Sequence, residues 1–121
     1  MTAIVIIVPG EPVPKARART VRGHSYTPER TLRAQQAVAW EARRTWKLSP
    51  MRGSVRLGLV FRCGSRRRTD IDNLAKLVMD ALNGVVWEDD SQIEELHVYR
   101  FRGNEATGTT ITVSSLTGGT T

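Results

Sequence analysis

Asp70, Asp72, Asp80, Asp89 and Asp90 crowd into a short stretch of the 121-residue chain, with Lys76 among them. Carboxylates brought together without enough cations repel one another and hold their protons more tightly, whereas a hard divalent ion favours oxygen ligands and relieves the repulsion. Mg²⁺ suits such a set, with Mn²⁺ as its substitute, because it keeps several waters and shares its shell with phosphate oxygens. No glycine-centred calcium loop is present, and His24 and His97 lack the spacing of zinc ligands. The lone Cys63 rules out a disulfide framework or a multi-cysteine zinc site and fits a reducing, cytoplasmic setting.

For those acids to act together, a helix must present them. At about 100° per residue, with Asp72 as zero, Lys76 falls near 40°, Asp80 near 80° and Asn83 near 20°. Leu74, Leu77, Val78 and Ala81 fall on the opposite side, so the spacing predicts a helix over about Ile71 to Asn83 with its apolar side on a sheet and its polar side open. Thr69 or Asp70 is its expected cap and Gly84 its terminator. Asp70 and Asp72 can share a space with Asp89 and Asp90 if the acidic loop Glu88 to Ser91 folds back beside the helix. A blander alternative is that Thr69 and Asp72 form a capping box, Asp72 pairs with Lys76, and the acids only complement the helix dipole.

The charge distribution sharpens the contrast. Residues 1–68 hold 15 basic and 3 acidic side chains and residues 69–121 hold 3 and 9, within a total formal charge of +6. A basic surface implies a polyanionic partner, but phosphate neutralisation alone gives no use for an acidic cluster beside it. Lys15, Arg17, Arg19, Arg66, Arg67 and Arg68 are the candidates for gripping a nucleic-acid backbone.

Length and composition predict one domain, residues 1–116, followed by a flexible Gly/Thr-rich tail, 117–121. Ala3 to Val8 is too short an apolar run to span a bilayer, and no membrane partner is expected. Thr2 to Val8 reads as a strand; prolines 9, 12 and 14 and Gly10 then break the chain into a basic loop or irregular hairpin. Thr27 as cap and Pro28 as first residue open a helix to about Lys47. Val55 to Cys63 alternates with a period of two, as a half-buried strand does, and strands over about Glu95 to Arg102 and Thr109 to Ser114 complete the order β-α-β-α-β-β. The expected fold is α+β: a mixed sheet packed by two main helices. Trp40, Trp46 and Trp87 are expected to pack, as is Cys63.

The segments Arg68-Thr69-Asp70-Ile71-Asp72-Asn73-Leu74-Ala75-Lys76, Asp80-Ala81-Leu82-Asn83-Gly84 and Asp89-Asp90-Ser91-Gln92-Ile93 resemble the signature of the RusA family of Holliday junction resolvases. Pro12, Pro14, Lys15, Arg17 and Arg19 are similar to that family's proline-rich basic lead-in, and Tyr26, Thr27 and Pro28 to its helix start. The resemblance implies Asp70, Asp72 and Asp90 as metal-binding catalytic acids, Asp89 as a neighbouring ligand and Lys76 as an essential basic partner. It also implies a homodimer that cuts four-way DNA junctions by paired symmetric nicks with Mg²⁺, in a bacterial cell and of phage or prophage origin. Two other readings stay open: a non-catalytic basic DNA-binding protein, and a metal-dependent nuclease for other branched DNA or RNA.

Overall fold

A computed structural model describes residues 2–64 and 69–116. Arg66, Arg67 and Arg68 and the expected tail, 117–121, lie outside the described residues. The elements are β1 (Ala3–Pro9), the short strands β2 (Arg19–Val21) and β3 (His24–Tyr26), α1 (Glu29–Thr45), β4 (Val55–Arg62), α2 (Ile71–Leu82), a 3₁₀ turn (Asp90–Gln92), β5 (Ile93–Phe101) and β6 (Gly108–Ser115). The long strands form one sheet in the order β1-β6-β4-β5. β6 runs antiparallel to both β1 and β4, whereas β5 is parallel to β4. The sheet is therefore mixed, as expected for this α+β chain.

The parallel pair requires a crossover, and α2 supplies it. Leaving the end of β4, the chain returns along α2 and starts β5 beside the start of β4, where Ile93 aligns with Val55. Leu74, Leu77, Val78 and Leu82 of α2 are buried against Leu57, Leu59 and Phe61 of β4, Ile6 of β1 and Ile111 and Val113 of β6 in one core. Each such side chain contributes about 1.5–3 kcal/mol on burial, so the apolar side of α2 fixes how the helix is rotated on the sheet. Gly84, at φ +79°, ends the helix in a backbone conformation that costs a glycine little.

Both helices cover one face of the sheet; on the other, Val5, Ile7, Tyr99 and Phe101 are exposed. The basic loop contains a regular hairpin: β2 pairs antiparallel with β3 across Arg22 and Gly23, whose positive φ values of 51° and 80° match the twist of paired strands. At α1, Pro28 rather than Thr27 holds the cap position, with ψ 144° and no side-chain cap bond, because its extended backbone delays the first helical residue to Glu29. The helix ends at Thr45, where the Trp46 N–H bonds the Ala42 carbonyl. Trp87 is fully buried, but Trp40 is 59% exposed on the outer side of α1, beneath the Arg44 guanidinium at 5.1 Å. Its stabilisation comes from the cation over its ring and not from the core.

Candidate nuclease site

The prolines that prevent regular structure in residues 9–14 deliver a basic loop to the start of α2. Pro12 is buried, the Ala16 N–H bonds the buried Thr31 hydroxyl of α1 at 3.2 Å, and the Lys15 N–H bonds the Asn73 carbonyl of α2 at 2.9 Å. Lys15 is fixed again through its side chain, with Nζ 2.6 Å from Asp80 Oδ2. Asp80 thus positions the loop. Where this loop meets the helix start, a cleft of about 310 Å³ is lined by Lys15, Ala16, Arg17, Asp70, Asp72, Asn73 and Lys76.

Two carboxylates and three cations therefore share one solvent-open surface. Asp70 occupies the N-cap position with extended backbone, yet its side chain makes no capping bond. Among the described residues it accepts a long 3.4 Å hydrogen bond from the Asn73 side chain. Asp72 lies in the first turn, with Oδ2 4.0 Å from Lys76 Nζ and both side chains mostly exposed. Asp70 holds the N-cap position and no side-chain cap bond forms among the described residues, so the blander alternative of a Thr69–Asp72 capping box is not realised and these acids are not consumed by the helix end. At its surface position the Asp72–Lys76 pair gives little stability. It leaves both groups available to a phosphate or an ion.

The other half of the acidic signature is placed differently. Asp89 caps the 3₁₀ turn: its carboxylate accepts the Ser91 N–H at 2.9 Å, while Gln92 Oε1 accepts the Asp89 N–H at 2.8 Å. The hydrogen bonds from Ser91 hold the Asp89 carboxyl below the usual aspartate range. Asp90 Oδ1 accepts the indole N–H of Trp87 at 2.8 Å. This turn sits at the far end of α2, because Gln92 donates to the Met51 and Gly53 carbonyls before β4 and Trp87 bridges to Met51 and Asn83.

The loop Glu88 to Ser91 consequently does not fold back beside Asp70 and Asp72, contrary to the sequence expectation. The 12 residues of α2 separate the two ends by about 18 Å. Among the described residues, no three of His, Cys, Asp and Glu gather closely enough to hold a metal ion. The reason is topological: a parallel β4-α2-β5 crossover must put the residues before α2 and those before β5 at opposite ends of the strands.

Of the candidate DNA contacts, Lys15 and Arg17 line the cleft, and Arg19 lies exposed on β2 of the adjoining hairpin. Sequence reading did not foresee Arg100, whose guanidinium donates to the Thr69 carbonyl and ties β5 to the entrance of α2. Only its place near the end of a strand could have hinted at this. A larger cavity of about 480 Å³ lies between α1, α2 and β1, walled mainly by apolar residues such as Val8, Pro12, Val38 and Phe61. It contains none of the signature acids.

The cleft therefore sets carboxylates beside cations on the open surface of a small α+β domain. A sequence model of the family described as Endodeoxyribonuclease RusA matches residues 9–114, and the chain belongs to that family. It is thus an endodeoxyribonuclease of the kind that cleaves Holliday junctions, a metal-dependent family whose substrates are branched DNA. No curated protein matches the chain. No helix among the described residues is long and apolar enough to cross a membrane.

Proposed function

We propose that the protein resolves four-way DNA junctions by paired, symmetric nicks, using Mg²⁺ or Mn²⁺, and that it works as a homodimer in a bacterial cytoplasm during recombination, repair or phage DNA processing. One observation carries the reading: Asp70 and Asp72 are left out of helix capping and stand on a cleft beside Lys15, Arg17 and Lys76.

The donor set fits a hydrated divalent ion, since two exposed carboxylates leave room for water and phosphate oxygens, as Mg²⁺ prefers. When bound, the ion lowers the pKa of a water and offsets charge on the phosphoryl oxygens. Lys15 and Arg17 hold the DNA backbone against the cleft, giving affinity that falls steeply with salt. Lys76, held only loosely by Asp72, contacts a phosphate oxygen and helps to position the scissile group. Asp90 joins Asp70 and Asp72 as a ligand only from a second copy, because α2 keeps it away within one protomer. A two-fold dimer also matches the two equivalent strands of a four-way junction.

The test is Asp72→Asn on a panel of four-way, forked, flapped and linear DNAs, with and without Mg²⁺. Junction nicking is expected to fall on the order of a thousandfold with junction binding retained. Unchanged nicking by the variant would remove the catalytic assignment. Preferential cutting of flaps, forks or RNA by the unaltered protein would redirect the substrate reading.

A further inference from the structure

We infer that Arg100 is a positioning residue for the metal ligand at Asp70: its bond to the Thr69 carbonyl holds the backbone before α2 so that the Asp70 carboxylate faces the cleft and not the helix end. The inference rests on the nuclease reading proposed above. Val98 of β5 packs against the core, and residues two apart along a strand share a face. Arg100 therefore emerges on the helix-covered side of the sheet, half-buried beside the entrance of α2. Among the described residues no carboxylate forms an ion pair with it. A cation held by a carbonyl and not by an acid acts through the direction of its hydrogen bond.

An aspartate at an N-cap ordinarily turns its carboxylate onto the free N–H groups of the first helical turn. Asp70 holds that position, with φ −70° and ψ 125°, and makes no such bond. The planar peptide groups on either side of it are both held. The helix holds the one that follows, since the Asp70 carbonyl accepts the Asn73 and Leu74 N–H groups at 3.1 and 3.2 Å. Arg100 holds the one that precedes, through the Thr69 carbonyl and from a different element. With both peptide planes fixed, the direction of the Asp70 side chain is fixed too, and its carboxylate stays with Asp72, Lys15 and Lys76 on the cleft. Without Arg100 the Thr69–Asp70 plane is free to turn, and an oxygen that drops onto the helix N–H groups is withdrawn from an ion.

The sign of the effect separates positioning from electrostatics. A positive charge near the carboxylates of Asp70 and Asp72 repels a divalent cation, so if Arg100 acted by its charge alone, removing it would tighten metal binding. Removing a bond that aims the ligand weakens metal binding instead.

Mn²⁺ binding to the full chain, followed by loss of the free-ion electron paramagnetic resonance signal, tests this without relying on cleavage. Arg100→Leu keeps an apolar stem and removes the donor. Its Mn²⁺ affinity is expected to fall about tenfold or more, and the Mg²⁺ concentration for half-maximal junction nicking should rise in step, with junction binding in EDTA unchanged. Arg100→Lys keeps the charge and one donor and should restore most of the lost affinity. Val98→Ala loosens the packing at the same place without touching the Thr69 carbonyl, so it should lower stability and leave Mn²⁺ affinity as it was. An unaltered protein that takes up no Mn²⁺, an Arg100→Leu variant that binds it as tightly or more tightly, an Arg100→Lys variant no better than Arg100→Leu, or an equal loss in Val98→Ala would each overturn the assignment. A protein whose Mn²⁺ binding depends on Arg100 but which never nicks DNA would remove the nuclease reading and leave Arg100 in its role. Normal Mn²⁺ binding by Arg100→Leu in a protein that does nick junctions would do the reverse.

Discussion

The two ends of α2 carry the same side-chain chemistry put to opposite uses. At its start, Asp70 and Asp72 are exposed, unused by the helix cap and surrounded by the cations of a loop pinned to both helices. At its far end, Asp89 and Asp90 are occupied by the Ser91 N–H and the Trp87 indole. The difference teaches that a carboxylate's role is set by which donors the backbone has already placed beside it. Asp90 has one oxygen committed to a buried indole and carries a second, so structural and ligand duties can coexist in it.

The sharpest way to break this comparison is to mix inactive protomers. Asp72→Asn and Asp90→Asn are each expected to abolish nicking by themselves. If the far-end acid serves the partner's cleft, a heterodimer of the two variants contains one cleft with Asp70, Asp72 and Asp90 all intact. Mixing should then recover cleavage of one strand per junction, read by strand-resolved electrophoresis. No recovery would mean that each cleft draws its acids from a single chain.

A smaller effect sharpens the structural half. Asp90→Ala leaves the indole N–H of the fully buried Trp87 without its partner and should cost about 1–3 kcal/mol in denaturant unfolding. Asp90→Asn keeps an acceptor oxygen and should lose less. Asp72→Ala, at the exposed end, should leave stability nearly unchanged. Equal losses at the two ends would erase the distinction drawn between them.

The smallest expected effect concerns pH. Glu95 is held below its ordinary value of 4.5, first by the hydrogen bond from Arg56 and then by that from His97. A depressed carboxylate stabilises the fold at pH values above its unfolded pKa, and that contribution is lost as pH falls through its lower folded value. Acid titration of unfolding should therefore show Glu95→Gln flattening the stability curve below about pH 4.5, with little change in its slope near neutrality. Because Glu95 is solvent-exposed, the change should be slight. A curve that matches the unaltered protein throughout would show the Arg56 pair to be energetically idle.

How much of this was readable in advance depended on the range over which each feature is encoded. The polar and apolar sides of α2 were legible because helical periodicity is local: Leu74, Leu77, Val78 and Ala81 are all buried, while Asp72, Lys76, Asp80 and Asn83 are exposed. The alternation of β4 was equally plain. Trp40 was misjudged because residue type alone gives no side of α1, and Asp90's hydrogen bond to Trp87 was missed because it depends on the three-residue turn between them.

The residue order by itself determined the two helices, the four long strands, the family and the acids at the start of α2, since these follow from nearest-neighbour spacing and short motifs. Only the tertiary structure decided that β5 runs parallel to β4. That choice sends the two halves of the acidic signature to opposite ends of α2, leaves β5 as an exposed edge and brings Arg100 to Thr69. Strand direction is settled by contacts between residues distant in the chain, and no periodicity within a segment records it.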